Sequence, residues 1–168
     1  MTFFALTHND NLYAKACAML DMCFGCKGGI EIDFSGAKPA LGGAYAGVYD
    51  FSIAHSGEAA AIAVSDKKIG CDIEIFKGKE HSAVASRFTG RERENISCER
   101  DFIINWTAKE AYIKRRALAL ATHLKRLEFF DDAVWLDGQR QPDPVVHLPF
   151  DGGIACVCGD CDIKITEI

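Results

Sequence analysis

Carboxylates and an ammonium group occur at spacings that suit a divalent cation and phosphate. Asp72 and Glu74 lie two residues apart at the end of an apolar segment that is typical of a strand. Side chains two apart on a strand point to the same face, so both can aim at one point. Glu110 and Lys114 lie four residues apart in a segment with helical periodicity. Three acids and a lysine in an apolar setting suit Mg²⁺ and the phosphates that it carries.

The helical segment also has a simpler interpretation. A Glu and a Lys at positions i and i+4 form an ordinary surface pair worth only about 0.3–0.5 kcal/mol. The helix is predicted to run from about Glu99 to Leu118, with Ser97 as its N-terminal cap. Trp106, one turn before Glu110, is predicted to be mostly buried. The second pair of acids favours a site over a surface pair.

Three short strands joined by tight turns are predicted, and the third of them ends with Asp72 and Glu74. They cover Tyr49–Ala54, Ala59–Val64 and Ile69–Glu74. In an up-down-up meander the C-terminal ends of the first and third strands lie at one edge of the sheet. His55 and Ser56 are therefore expected beside Asp72 and Glu74. A lone histidine in a turn is more commonly just a polar turn residue, and that alternative stays open.

Five motifs follow one another along about residues 38 to 114. They are Lys38-Pro39, Phe51 to Gly57, Ile69 to Glu74, Arg87 to Glu92 and Trp106 to Lys114. In order and spacing they resemble the 4′-phosphopantetheinyl transferases, most closely the branch that activates surfactin synthetase and similar megasynthases. The resemblance implies an enzyme that moves the phosphopantetheine arm of coenzyme A onto a serine of an apo acyl or peptidyl carrier protein. This holo-[acyl-carrier-protein] synthase activity would release adenosine 3′,5′-bisphosphate.

The resemblance also implies roles for the charged residues. Asp72, Glu74 and Glu110 would hold Mg²⁺ against the pyrophosphate. Lys114 would neutralise the bridging phosphate. Glu110, directly or through a metal-bound water, would accept the proton of the carrier serine.

On the coenzyme A side, the resemblance implies binding by Lys38, His55 and Ser56, together with Lys114. His55 and Lys38 would contact the region of the adenosine 3′-phosphate. Glu92 matches an acid that the family has near its site, with a less settled role.

Three alanines depart from the usual pattern of the family. Ala54 stands where a serine commonly precedes the histidine, and Ala117 and Ala119 stand where glycines usually follow the helix lysine. If those glycines adopt a positive φ, alanine follows only at a cost in free energy. The helix is therefore expected to continue past Ala117.

The predicted elements describe an α+β fold, a single domain of 168 residues with two pseudo-symmetric halves. The halves are about residues 1–76 and 77–168, each a helix packed on an antiparallel meander, and the family resemblance implies an active site between them. Besides those above, helices are predicted at Asn11–Cys23 and around Ala83–Phe88, and strands at Phe3–Thr7, Ile30–Phe34, Leu127–Phe130, Val134–Leu136, Val145–Leu148, Ile154–Cys158 and Ile163–Thr166. Because one chain carries both sets of site residues, we expect a monomer.

Composition excludes some classes of function. A net charge of −5 and a pI near 5.5 argue against broad nucleic-acid binding, and hence against a magnesium-dependent nuclease. No apolar run approaches a membrane span, and the N-terminus lacks the features of a signal peptide, so the protein is predicted to be cytoplasmic.

The basic run at residues 114–116, with Lys125 and Arg126, is either a docking patch for an acidic carrier protein or a solvated helix end.

Two groups of cysteines have the short spacings of zinc sites. They are Cys23 with Cys26, and Cys156 with Cys158 and Cys161. A β-hairpin with Cys156 and Cys158 on one strand explains the second group without a metal. A zinc-structured interaction module, and a non-catalytic relative that binds coenzyme A or a carrier protein, remain the alternatives to the transferase.

Overall fold

The computed structural model describes residues 1–78 and 88–168. Within these ranges the strands are β1 Thr2–His8, β2 Ile32–Asp33, β3 Ala40–Leu41, β4 Asp50–Ser56, β5 Ala59–Ser65, β6 Gly70–Ile75, β7 Leu127–Phe130, β8 Ala133–Leu136, β9 Gln139–Arg140, β10 Val145–Phe150, β11 Gly153–Cys158 and β12 Ile163–Ile165. The helices are α1 Leu12–Phe24, α2 Gly90–Asn95, α3 Glu99–Arg116 and α4 Leu120–His123, with a short 3-10 helix at Gly43–Tyr45. The helix predicted around Ala83–Phe88 lies almost entirely outside the described residues.

Each of the two longer helices covers one face of a sheet. The first sheet has the order β12-β1-β5-β4 and the second has the order β10-β11-β6. α1 buries Ala16, Met19 and Leu20 against the first sheet. α3 buries Ala108 and Ala111, among others, against the second. The expected α+β class, with few helices on antiparallel sheets, is confirmed.

The predicted meander of β4, β5 and β6 is wrong. β5 is already paired on both edges, with β1 and β4, so it has no edge for β6. β6 pairs instead with β11 in the second sheet, with Asp72 opposite Cys156. The second meander is wrong as well, because β7, β8 and β9 form a separate small sheet and β12 runs parallel to β1.

Side chains of β4 bind the free edge of β6. The backbone N–H of Ile69 donates to Asp50 Oδ2 at 2.9 Å, and that of Cys71 to Ser52 Oγ at 2.9 Å. Further along, the N–H of Ile75 donates to Ser56 Oγ at 3.3 Å. Residue numbers rise together in these contacts, so the two strands run in the same direction. Their C-terminal ends therefore lie together as expected, although β4 and β6 belong to different sheets.

Strand exchange crosses the boundary expected between the halves near residue 76. β6 precedes that boundary but pairs with β11, and β12 follows it but pairs with β1. The two sheets covered by α1 and α3 thus each contain strands from both segments of the chain.

α3 begins at Glu99 as predicted, but its cap lies one residue after the predicted Ser97 and its end two residues before the predicted Leu118. Its N-cap is Cys98, and the Asp101 carboxylate accepts from the Ser97 hydroxyl at 2.6 Å and from the Cys98 N–H at 3.2 Å. The helix stops at Arg116 because Ala117 adopts a left-handed conformation with φ 49° and ψ 42°. The expectation that the helix runs to Leu118 is wrong. Ala117 adopts a positive φ, and its backbone N–H donates to the carbonyl oxygens of Ile113 and Lys114, which ends the helix.

Ala117→Gly should therefore stabilise the protein. A residue with a Cβ costs about 1–2 kcal/mol in the left-handed conformation, and glycine avoids this cost. Glycine also raises the entropy of the unfolded chain, which offsets part of the gain. We expect a net gain of about 0.5–1 kcal/mol in the free energy of unfolding, measured by urea titration. Ala119→Gly is the matched control, since Ala119 has an extended backbone with φ −78°; equal effects of the two changes would contradict the assignment.

Among residues 1–78 and 88–168, none of the helices has the length and apolar character needed to cross a membrane.

Candidate functional site

A close approach between β6 and α3 brings the predicted acids and lysine together. A Cβ at Gly70 would lie 2.0 Å from the carbonyl oxygen of Ala111 and 2.5 Å from the amide nitrogen of Arg115, so only glycine fits there. Two residues on, Asp72 points from the same face of β6 toward α3. Its Oδ1 accepts from Lys114 Nζ at 2.6 Å.

Asp72 is buried and only half satisfied. Its side chain is 9% exposed, and Oδ2 has no hydrogen-bond partner among the described residues. Burial raises the pKa of Asp72 above its ordinary value, although Lys114 opposes the rise. Burial disfavours the charged form of Lys114 too, but the charge and hydrogen bond of Asp72, together with smaller effects that include Glu110, outweigh it and raise the pKa of the lysine.

Glu110 lies beside this ion pair. Burial is the main cause that raises its pKa from 4.5 to about 7. Repulsion from Asp72 and Glu74 adds to the rise, and Lys114 opposes it. The effect of both acids on Glu110 indicates that the three carboxylates share one electrostatic environment.

Glu74 is held at the end of β6. Its Oε2 accepts from the Ser56 hydroxyl at 2.6 Å and lies 3.5 Å from Lys77 Nζ. The expected proximity of Ser56 to Glu74 is therefore confirmed. Ser56 itself is buried at 6% exposure and, like Asp72 and Glu74, does not line the adjoining cavity, so a direct contact with the cofactor stays a prediction.

A cavity of about 790 Å³ opens next to the ion pair. It is lined by α3 and the segment after it on one side and by α1, β4 and the loop at 37–39 on the other. Its lining includes Glu110, Lys114, His55 and Lys38. A volume of this size is in the usual range for sites that bind small molecules and cofactors.

Lys38 lines the cavity, but its ammonium is already bound within the protein. Nζ donates to Asp50 Oδ2 at 2.8 Å and to the carbonyl of Ile69 at 2.7 Å. Burial lowers the pKa of Lys38, against the neighbouring Asp50 charge. His55, by contrast, is exposed on the strand face opposite Ser56.

Glu92 and Lys109 form an ion pair with no solvent exposure of either side chain. Lys109 Nζ lies 3.0 and 2.9 Å from the two carboxylate oxygens of Glu92. Glu92 also accepts from the N–H of Phe129 at 3.0 Å and completes a capping box with Thr89. Since Lys109 precedes Glu110, this pair anchors the part of α3 that presents Glu110.

Trp106 packs nearby on Phe102 but is only partly buried, which corrects the expectation of a mostly buried side chain.

The acids fit a magnesium ion only in part. Among the described residues, no three His, Cys, Asp or Glu side chains are close enough to complete a metal site alone. The unsatisfied, buried Asp72 Oδ2 and the mutual repulsion at Glu110 are both features that a cation would relieve. Magnesium commonly keeps several waters and takes further oxygens from substrate phosphates. The residues present therefore fit Mg²⁺ bound together with a phosphate ligand.

The basic run after Glu110 is largely neutralised by acids. Arg115 and Arg116 both pair with the buried Asp143, at 2.5 and 2.7 Å. Arg126 pairs with Asp137 at 2.5 Å. These contacts favour the helix-end interpretation over a basic docking patch.

The cysteines with short spacings lie in different surroundings. Cys156 and Cys158 are buried in β11, where they pack with residues of α3. The hairpin predicted after them is wrong in its pairing, since β12 joins β1 and β11 lies between β10 and β6. Cys26 is buried and Cys161 is exposed.

Sequence reasoning missed the polar partners that hold the site. Asp50 had a signal, because residues 50, 52 and 56 are polar at even positions of a strand whose residues 51 and 53 are apolar. Thr89 and Glu92 also had a signal in the sequence, because a threonine followed three residues later by a glutamate is the spacing of a capping box. Lys109 had none, because nothing in its neighbourhood distinguishes a buried lysine from an exposed one.

Comparison with known proteins adds an independent finding. A search of curated proteins found no match to this chain. Residues 68–145 match the family model of the 4′-phosphopantetheinyl transferase superfamily. This segment contains Asp72, Glu74, Glu110 and Lys114, whereas Lys38, His55 and Ser56 lie before it. Over residues 68–145, the part of the chain that holds the acidic cluster, the protein is thus similar to the 4′-phosphopantetheinyl transferase superfamily.

Proposed function

We propose that this protein transfers the 4′-phosphopantetheine arm of coenzyme A to a serine of an apo carrier protein, with Mg²⁺ and release of adenosine 3′,5′-bisphosphate. One observation carries the proposal: Lys114, which pairs with the buried Asp72, and the pKa-shifted Glu110 both line a cavity of about 790 Å³. The superfamily match over the same residues supports it. The five motifs support the surfactin-synthetase-activating branch, and both sets of site residues in one chain support a monomer.

The reaction needs positioning and charge neutralisation more than covalent chemistry from the protein. The serine oxygen forms a bond to the phosphorus that carries the pantetheine arm, while the bond from that phosphorus to the bridging oxygen breaks. Lys114 would neutralise the charge that develops on the bridging oxygen. Mg²⁺, when bound through Asp72, Glu74 and Glu110, would supply further charge neutralisation at the pyrophosphate.

Glu110 is the residue best suited to accept the serine proton. Without a metal, burial and the neighbouring acids raise the pKa of Glu110 to about 7. A bound Mg²⁺ would favour its charged form, which can accept a proton. The carboxylate lines the cavity one helical turn from Lys114. His55, on the opposite wall, would contact the adenosine 3′-phosphate region; Lys38 lies on the same wall and would first have to release Asp50.

Coenzyme A should stabilise the protein mainly when Mg²⁺ is present. Ligand at about 100 times its dissociation constant adds about 2.7 kcal/mol to the free energy of unfolding, which is visible as a higher melting temperature. Asp72→Asn keeps the shape of the side chain and should abolish the magnesium dependence. Asp137→Asn is the matched control, because Asp137 is half exposed and its salt bridge, among residues 1–78 and 88–168, is with Arg126. Equal stabilisation of the wild type with and without Mg²⁺ would contradict the proposed metal site.

A further inference from the structure

We propose that Ser56 is a positioning residue, which selects the oxygen of Glu74 that faces the cation. The inference rests on the proposed function, since it concerns the same site. It replaces a direct role of Ser56 in binding the cofactor with a role in orienting a metal ligand.

Two contacts fix the direction of the Ser56 hydroxyl. Its oxygen accepts from the N–H of Ile75 at 3.3 Å, and it lies 2.6 Å from Glu74 Oε2. A carboxylate can only accept, and a hydroxyl has one proton to donate. The proton of Ser56 therefore points to Glu74 Oε2, and the backbone of β6 holds the hydroxyl in that orientation.

This contact leaves a single carboxylate oxygen of Glu74 for a ligand. Oε2 faces both Ser56 and Lys77, whereas no described residue gives Oε1 a hydrogen bond. Asp72 is arranged in the same way, with Oδ1 on Lys114 and Oδ2 unsatisfied. Each acid thus keeps one oxygen that no described residue binds, which suits a cation that takes only one or two carboxylates and fills its other positions with waters and phosphates.

Ser52 provides an internal comparison on the same strand. Its hydroxyl accepts from the N–H of Cys71 at 2.9 Å, as Ser56 does from Ile75, and it is buried at 2% exposure. Ser52 has no contact with a carboxylate among the described residues. Loss of either hydroxyl removes one contact between β4 and β6, but only loss of Ser56 frees Glu74.

The test measures how much Mg²⁺ is needed for half of the melting-temperature shift that saturating coenzyme A produces. Partners that orient metal ligands typically contribute 10- to 100-fold in metal affinity. Ser56→Ala should raise the required Mg²⁺ about tenfold. Ser52→Ala should lower the melting temperature of the free protein but keep the wild-type Mg²⁺ requirement; because Ser52 lines the cavity, coenzyme A is first titrated to saturation for each variant. Ser56→Thr, which keeps the hydroxyl, should restore the requirement to within about threefold.

Two results would overturn the inference, and they have different meanings. If Ser56→Ala keeps the wild-type Mg²⁺ requirement, Ser56 only joins two strands, while the proposed function stands. If the wild type shows neither a magnesium-dependent shift nor transfer to a carrier protein, the proposed function fails and the inference with it. Should Ser56→Ala not fold, Ser56→Cys is read in its place, because its thiol has nearly the same size and is only a weak donor.

Discussion

Lys109→Met should destabilise the protein by about 3–5 kcal/mol, the usual cost of removing one partner of a buried ion pair. Lys109 and Glu92 are fully buried and 2.9 Å apart. Without the lysine, the donors that the described part of the chain leaves to the Glu92 carboxylate are the neutral backbone N–H groups of Thr89 and Phe129. The loss is measured as the change in free energy of unfolding in urea. Methionine keeps most of the side-chain volume, so the effect reports the charge.

Two further variants separate this effect from a general loss of packing. Lys125→Met removes a lysine from an exposed position and should change stability by less than about 0.5 kcal/mol. Lys109→Met combined with Glu92→Gln leaves no buried charge and should recover a large part of the loss. A double variant as unstable as the sum of its single changes would show that the two residues do not act as a pair.

Glu110→Gln should make the metal-free protein more stable above pH 7 and less able to transfer the arm. The pKa of Glu110 is raised from 4.5 to about 7, chiefly by burial and next by Asp72. The folded state therefore holds the proton more tightly than the unfolded state does, and stability falls as the pH rises from about 4.5 to about 7. Each pKa unit is worth about 1.4 kcal/mol, and partial solvent screening reduces the total to about 2–3 kcal/mol.

The measurement is urea unfolding of the wild type and Glu110→Gln between pH 4.5 and 8.5 with chelator present. The two proteins should have equal stability at the acid end, and the variant should exceed the wild type by about 2–3 kcal/mol at pH 8. Glu94→Gln removes the same charge from an exposed position of α2 and should show no such divergence. A constant difference at all pH values would mean that Glu110 titrates normally.

Local structure was predictable from the sequence where it depends on neighbouring residues. α1 was expected at Asn11–Cys23 and is found at Leu12–Phe24, and β11 was expected at Ile154–Cys158 and is found at Gly153–Cys158. Periodicity of apolar residues and turn residues suffices for such bounds. The end of α3 at Ala117 did not follow, because a positive φ at alanine is set by the contacts around it.

Strand pairing and polar partners were not predictable, because they depend on the assembled fold. β5 and β6 are neighbours in sequence, yet β5 is already paired on both edges, so β6 takes β11. The expected contact between Ser56 and Glu74 still formed, since β4 and β6 lie side by side through side-chain contacts. Lys38 was expected to face a phosphate, but its salt bridge with Asp50 depends on the folded structure and is not apparent from the sequence.

We propose that the cluster of Asp72, Glu74, Glu110 and Lys114 transfers phosphopantetheine. The most direct test of this proposal incubates the protein with coenzyme A, Mg²⁺ and a panel of apo carrier proteins, including fatty-acid, polyketide and peptide-synthetase types, and measures each carrier by intact mass. We predict that at least one carrier gains the mass of one phosphopantetheine arm with wild-type protein and Mg²⁺, and that chelator prevents the gain. With the folded Glu110→Gln variant, the rate should fall at least 100-fold, the lower range for removal of a general base. Binding of coenzyme A without any gain of mass, or transfer by Glu110→Gln at the wild-type rate, would contradict this account.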